Sequence, residues 1–169
     1  MFRVDLRELE RGPVETRGEI ARDDPLFTGL DVVLSRPVKV AGRLQGTGEG
    51  RFYWQGTVET AVSGECRRCL VPVEAPVRAE IGALFSQERD AEDDPDTYPL
   101  APDAIEVDVT QAVREELMLV VPRFVQCRED CRGLCPRCGQ DLNAGPCACP
   151  PVTDARWGGL EALKGKLRD

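Results

Sequence analysis

Histidine is absent from this chain of 169 residues. Its absence removes the commonest general acid–base side chain and a usual ligand of catalytic zinc sites, which keep one coordination position open. Lysine is almost missing, occurring only at 39, 164 and 166, so arginine carries nearly all the positive charge. Aromatic residues make up 5%. A core of stacked rings is therefore excluded, and Val, Leu and Ala must fill it. No stretch approaches the roughly 18 apolar residues of a membrane span. The opening residues, MFRVDLRELERG, carry charges at positions 3, 5, 7, 8, 10 and 11 and lack the apolar run of a signal peptide. A cytoplasmic location and no membrane partner are expected. There is no Gly-rich phosphate loop, nucleotide fingerprint or Ser–His–Asp arrangement, so no enzyme is expected.

Cysteine is what the chain has instead. Its eight cysteines fall as Cys66-x2-Cys69, Cys127-x3-Cys131-x3-Cys135-x2-Cys138 and Cys147-x-Cys149. Two four-thiolate zinc sites need eight ligands, and the short spacings suit tight knuckles whose two sulfurs converge on one tetrahedral ion. In CPRCG, Pro136 stiffens such a turn and Gly139 supplies the positive φ that closes it. Four disulfides would also use eight cysteines, but a reducing compartment disfavours them. An iron–sulfur cluster and a Cys66–Cys69 redox pair are further alternatives. The expected cofactor is zinc, two ions per chain, in sites that the thiolates saturate.

The net charge of −8 is unevenly spread. Residues 86–116 hold eleven acids against Arg89 and Arg114, leaving the other residues close to neutral. The run QERDAEDDPDTYPLAPD has no apolar period and three prolines, which reads as a solvated acidic loop over residues 86–104. The sign reverses at the cysteines, where Arg67, Arg68, Arg128, Arg132 and Arg137 lie within or beside the knuckles. These five are candidate RNA contacts. The competing reading is that they offset thiolate charge.

The chain's periodicity predicts an α+β fold, a mainly antiparallel meander or partly open barrel. Residues 2–6 alternate as a short edge strand, residues 7–29 carry little signal, and residues 30–34 hold a strand or part of one. From Pro37 the alternation sharpens. Val38, Val40, Gly42 and Leu44 lead to a turn at Gly46, Gly48 and Gly50. Phe52, Trp54, Val58, Thr60 and Val62 follow, and then the run from Val71 to Phe85. Pro72 and Pro76 point away from the apolar set and suit an edge. Residues 105–108 add a strand. Asp108 with Gln111 suggests a capping box for a helix over 109–121 carrying Val109, Val113, Leu117 and Val120. Trp157, Leu160, Leu163 and Leu167 predict a short C-terminal helix. The division expected is a β-rich domain over 1–126 and a cysteine-rich, zinc-ribbon-like module with that helix over 127–169.

The strings CRRCL, LVVPRF, CREDCRGLCPRCGQDLNAGPCAC and DARWGGLEAL resemble the YceD family, the large ribosomal RNA subunit accumulation proteins, over residues 30–165. The resemblance implies a non-enzymatic bacterial or plastid factor that supports accumulation of large-subunit rRNA. Its partner would be that rRNA or a pre-ribosomal particle, with assembly proteins as further partners and no small-molecule substrate. Some family members lack the distal cysteines, which implies that Cys135, Cys138, Cys147 and Cys149 close one site and Cys66, Cys69, Cys127 and Cys131 the other. A swap placing Cys66 and Cys69 with Cys135 and Cys138 stays open, as does a single zinc with leftover thiols. Two further functions stay open: a zinc-dependent protein-interaction adaptor acting on rRNA indirectly, and a redox or metal-handling protein.

Overall fold

A computed structural model describes residues 2–48, 50–88, 91, 93–150 and 156. The strands, in chain order, are β1 (Arg3–Asp5), β2 (Val14–Ile20), β3 (Val33–Leu34), β4 (Val38–Gly48), β5 (Arg51–Glu65), β6 (Pro72–Ser86), β7 (Thr97–Pro99) and β8 (Glu106–Asp108). Among the described residues one α-helix, α1 (Thr110–Val120), follows them. The main sheet has the order β2-β4-β5-β6-β7, with β3 continuing the β4 side of β5. Its pairings are antiparallel except for β6 with β7. A second, two-stranded sheet joins β1 to β8. The expected meander is present as β4-β5-β6, but the sheet stays open rather than closing into a barrel. No helix among the described residues is long and apolar enough to cross a membrane.

The core follows from strict alternation on one face of the sheet. Val38, Val40, Leu44, Trp54, Val58, Val62, Val77, Ile81 and Phe85 point inward and are buried. Trp54 is the largest of them, and its indole N–H donates to Thr16 Oγ1 at 2.8 Å. Its ring lies over the cross-strand pair Gly42 and Gly56. A Cβ on either glycine would come within 2.5 Å of indole carbons, so the sheet tolerates this one large side chain only above bare backbone. Helix α1 packs on β6 and buries Ala112, Val113 and Leu117. The capping box forms only in part. Asp108 Oδ1 accepts from Thr110 N–H at 2.9 Å, but Gln111 reaches forward to Glu115 instead of back.

Two stretches differ from the sequence reading. Residues 7–29 contain β2 and two 3-10 turns, Leu6–Arg11 and Pro25–Phe27. Strand β2 hides its alternation because two of its inward positions are Thr16, which serves Trp54, and Gly18, whose missing side chain makes room for the Phe2 ring. The acidic stretch is also less bare than a loop. It holds β7, parallel to the end of β6, with Tyr98 stacked on Phe85 at 5.1 Å. The C-terminal helix expected over Trp157–Leu167 lies outside the described residues.

Candidate metal centres

Strands β5 and β6 form a hairpin fifteen residues long on each side, and its closing turn is Cys66–Leu70. Leu70 N–H donates to Cys66 O at 2.9 Å, and Cys66 N–H to Val71 O at 2.8 Å. The second knuckle repeats this geometry. Gly139 N–H donates to Cys135 O at 2.9 Å, and Cys135 N–H to Gln140 O at 2.8 Å. Both closing residues have positive φ, 62° at Leu70 and 72° at Gly139. In each knuckle the N–H groups of the third and fourth residues reach the first cysteine's sulfur, Arg68 and Cys69 toward Cys66, Arg137 and Cys138 toward Cys135.

The eight sulfurs gather into two groups. Cys66, Cys69, Cys127 and Cys131 form one; Cys135, Cys138, Cys147 and Cys149 form the other, and within each all sulfurs lie within 4.8 Å of one another. The swapped pairing does not occur in this arrangement. In the first group Cys66 and Cys131 Sγ are 3.9 Å apart, and Cys69 and Cys127 Sγ are 3.6 Å apart. Four sulfurs about 2.3 Å from one tetrahedral ion would be separated by roughly 3.8 Å. The donor set and its spacing therefore fit a four-thiolate ion, and no S–S bond joins any pair. Cys66, Cys69 and Cys131 are buried, whereas Cys138 is exposed and Cys147 and Cys149 are half-buried.

The electrostatics mark sites built for negative charge. Burial pushes the Cys66 thiol up, but N–H groups of Cys127, Arg68 and Cys69 outweigh it and bring the thiol down to about 6. N–H groups of Cys138 and Arg137 bring Cys135 down to about 6 as well. Burial and the neighbouring cysteines hold Cys127 at about 12; at Cys149 the bond with Cys138, then burial, does the same. Each group thus holds some thiols lowered and others raised, a balance that a bound divalent cation would shift toward four thiolates.

The groups sit side by side. Leu134 N–H donates to Arg68 O at 2.9 Å, and a Cβ on Gly133 would fall 2.7 Å from that same oxygen. Gly133, at φ 74°, is what lets the second knuckle lie against the first. Arg68 donates its guanidinium to Cys131 O at 2.7 Å. Asn143, from the second loop, donates Nδ2–H to Cys131 Sγ at 3.6 Å and accepts from Arg132 N–H at 2.8 Å and Arg128 Nη2–H at 2.9 Å. Sequence reasoning did not single out Asn143, whose spacing from Cys131 carries no motif. It also passed over the αL residue Leu70, although the residue after the second cysteine is the same position in both knuckles.

All five arginines proposed as RNA contacts are exposed and lie on this surface. They divide in two. Arg68 is tied to backbone carbonyls, and Arg128 to Asn143 and Asp130. Arg67, Arg132 and Arg137 have no side-chain partner among the described residues. The apolar side chains Leu70 and Val71, which follow the first knuckle's cysteines, and Phe124, just before Cys127, are exposed, Phe124 by 72%.

A strand scaffold whose longest hairpin and trailing segment are clasped by two four-cysteine groups defines a small β protein with ribbon-type knuckles able to hold metal. Within that class the chain belongs to the YceD family, described as Large ribosomal RNA subunit accumulation protein YceD, which it matches over residues 54–164. An uncharacterised protein of Mycobacterium tuberculosis (strain ATCC 25618 / H37Rv) is 32% identical over 129 residues, covering 75% of this chain and 62% of that protein. The chloroplastic Large ribosomal RNA subunit accumulation protein YCED homolog 1 of Zea mays is 28% identical over 192 residues, covering 95% of this chain and 59% of the relative. Its Arabidopsis thaliana counterpart is 25% identical over 142 residues, covering 67% of this chain and 44% of the relative. The chain thus spans roughly half to three-fifths of the length of these relatives. No solved structure matches it.

Proposed function

We propose that the chain is a non-enzymatic factor supporting accumulation of large-subunit rRNA, and that it contacts that rRNA or an assembly intermediate through its knuckle surface. Two zinc ions would be held by Cys66, Cys69, Cys127 and Cys131 and by Cys135, Cys138, Cys147 and Cys149. Both sites would be filled by thiolates, leaving no open position for substrate, so the ions fix structure. The observation that carries the reading is the placement of Arg67, Arg132 and Arg137, exposed and with no side-chain partner among the described residues, beside the two cysteine groups in a member of this family. Arg68 and Arg128 would hold that arrangement while adding charge. Phosphate contact through such a patch is compatible with the negative total, because fields are screened within about 8 Å at physiological salt.

The double change Arg67→Glu and Arg132→Glu should keep metal content and fold yet abolish co-sedimentation with large-subunit precursors. Each lost phosphate contact should reduce the salt slope of binding by roughly one unit. Normal co-sedimentation of a metal-loaded double variant would sink the reading. A second reading, an adaptor that acts on rRNA through a protein, draws on the exposed Leu70, Val71 and Phe124 beside the arginines. Association that survives RNase treatment favours the adaptor.

A further inference from the structure

The metal reading treats the two cysteine groups as separate sites, yet one side chain reaches from one into the other. Asn143 belongs to the loop between the second knuckle and Cys147. Its position there is fixed locally: its N–H and its Nδ2–H both donate to Asp141 Oδ1, at 2.9 and 2.7 Å. Leu142 N–H is bonded to Gly133 O, and Leu134 forms an isolated bridge with Asp141. With its backbone so held, the second Nδ2 proton of Asn143 points at Cys131 Sγ, a ligand of the first group, at 3.6 Å. The Asn143 oxygen meanwhile accepts from Arg132 N–H and Arg128 Nη2–H, the two residues that flank the segment leading to and from Cys131. One amide therefore keeps one proton for its own loop and directs the other, with both bonds to its oxygen, across the border between the groups.

An N–H directed at a metal-bound sulfur orients the thiolate and spreads its charge, and losing such an outer partner typically weakens metal binding 10–100-fold. We propose that Asn143 is a positioning residue that couples the two metal sites, so that filling the second site tightens the first. This rests on the reading of both cysteine groups as metal sites. Metal at Cys135, Cys138, Cys147 and Cys149 closes the loop that carries Asn143. The closed loop delivers the amide to Cys131 and steadies the backbone at Arg132.

Cadmium NMR on the full chain tests this, because each four-sulfur site gives its own resonance and chelator competition reads each affinity. In the wild type the Nδ2 protons of Asn143 should show scalar coupling to the cadmium of the first site. Asn143→Ala should weaken the first site 10–100-fold and leave the second nearly unchanged. Cys147→Ser with Cys149→Ser should weaken the first site comparably, and adding Asn143→Ala to that pair should weaken it no further. Asn143→Asp keeps an oxygen for Arg132 and Arg128 but has no N–H for sulfur; it should be at least as weak as Asn143→Ala. Unchanged first-site affinity in Asn143→Ala, multiplicative losses in the combined variant, or recovery in Asn143→Asp would each overturn the coupling. Failure of the wild-type chain to take up cadmium at all would overturn the metal reading itself.

Discussion

Leu70 and Gly139 occupy one position in two copies of one turn, and only one of them suits it. A left-handed conformation costs a residue with a Cβ about 1–2 kcal/mol. Leu70 recovers little by packing, since it is 55% exposed. Leu70→Gly should therefore raise the stability of the metal-loaded protein by about 1 kcal/mol, measured by denaturant unfolding. Gly139→Ala should lower it by a similar amount, and since a Cβ there meets nothing within 4 Å, the loss is conformational alone. If Leu70→Gly also weakens association with precursor particles, the strained leucine is kept for contact. Tyr98 gives a second test at this scale. Burial, and then its bond to Glu115 Oε2 at 2.6 Å, push its ionisation well above the ordinary value of about 10. Its folded value is raised, so its contribution to stability is whole below pH 10 and fades as pH climbs through the folded value. Alkaline absorbance titration should show one tyrosine ionising late, and Glu115→Gln should bring it forward.

Among the elements, the β5–β6 hairpin bears the most. The first cysteine group ties its tip to residues 127 and 131, about sixty positions downstream, so metal there couples distant chain and adds to global folding. The second group closes residues 135–149 on themselves. Cys66→Ser should therefore lower the melting temperature of the sheet, whereas Cys138→Ser should loosen hydrogen-exchange protection mainly over 132–150. Equal global losses would contradict this ranking. Much of this was legible in the chain. Alternation marked β4, β5 and β6 because their inward positions are Val, Leu, Ile and Phe, and paired cysteines marked both knuckles. Strand β2 was hidden because Thr16 and Gly18 are chosen for Trp54 and Phe2, partners far away in sequence. Likewise β7, three residues long, owes its existence to β6 rather than to its own pattern. Asn143 and Arg68 act through backbone and sulfur, and no spacing rule announces such bonds.

Across the whole molecule, β6 sets two charges apart. It begins at the first knuckle with Pro72 and ends with Ser86, where the acidic stretch starts and Arg51 pairs with Glu88. Fifteen residues of strand span up to roughly 50 Å. Arg67 and Arg68 thus lie at one end of the strand and Glu88, with the start of the acidic stretch, at the other. If the proposed contact with rRNA holds, such a charge distribution would turn the molecule knuckles first toward the polyanion, and the turning should fade as salt rises.

The same hairpin has a history in time. A chain made from its N-terminus completes Cys66 and Cys69 long before Cys127 and Cys131 exist. At about 5–20 residues per second the interval between the two pairs is on the order of 3–12 seconds. Strand β1 waits similarly for β8. During those seconds the half-built knuckle holds two of its four sulfurs and an unfinished clasp. With metal bound as proposed, only the arrival of Cys131 would complete the donor set that ties the tail to the hairpin tip.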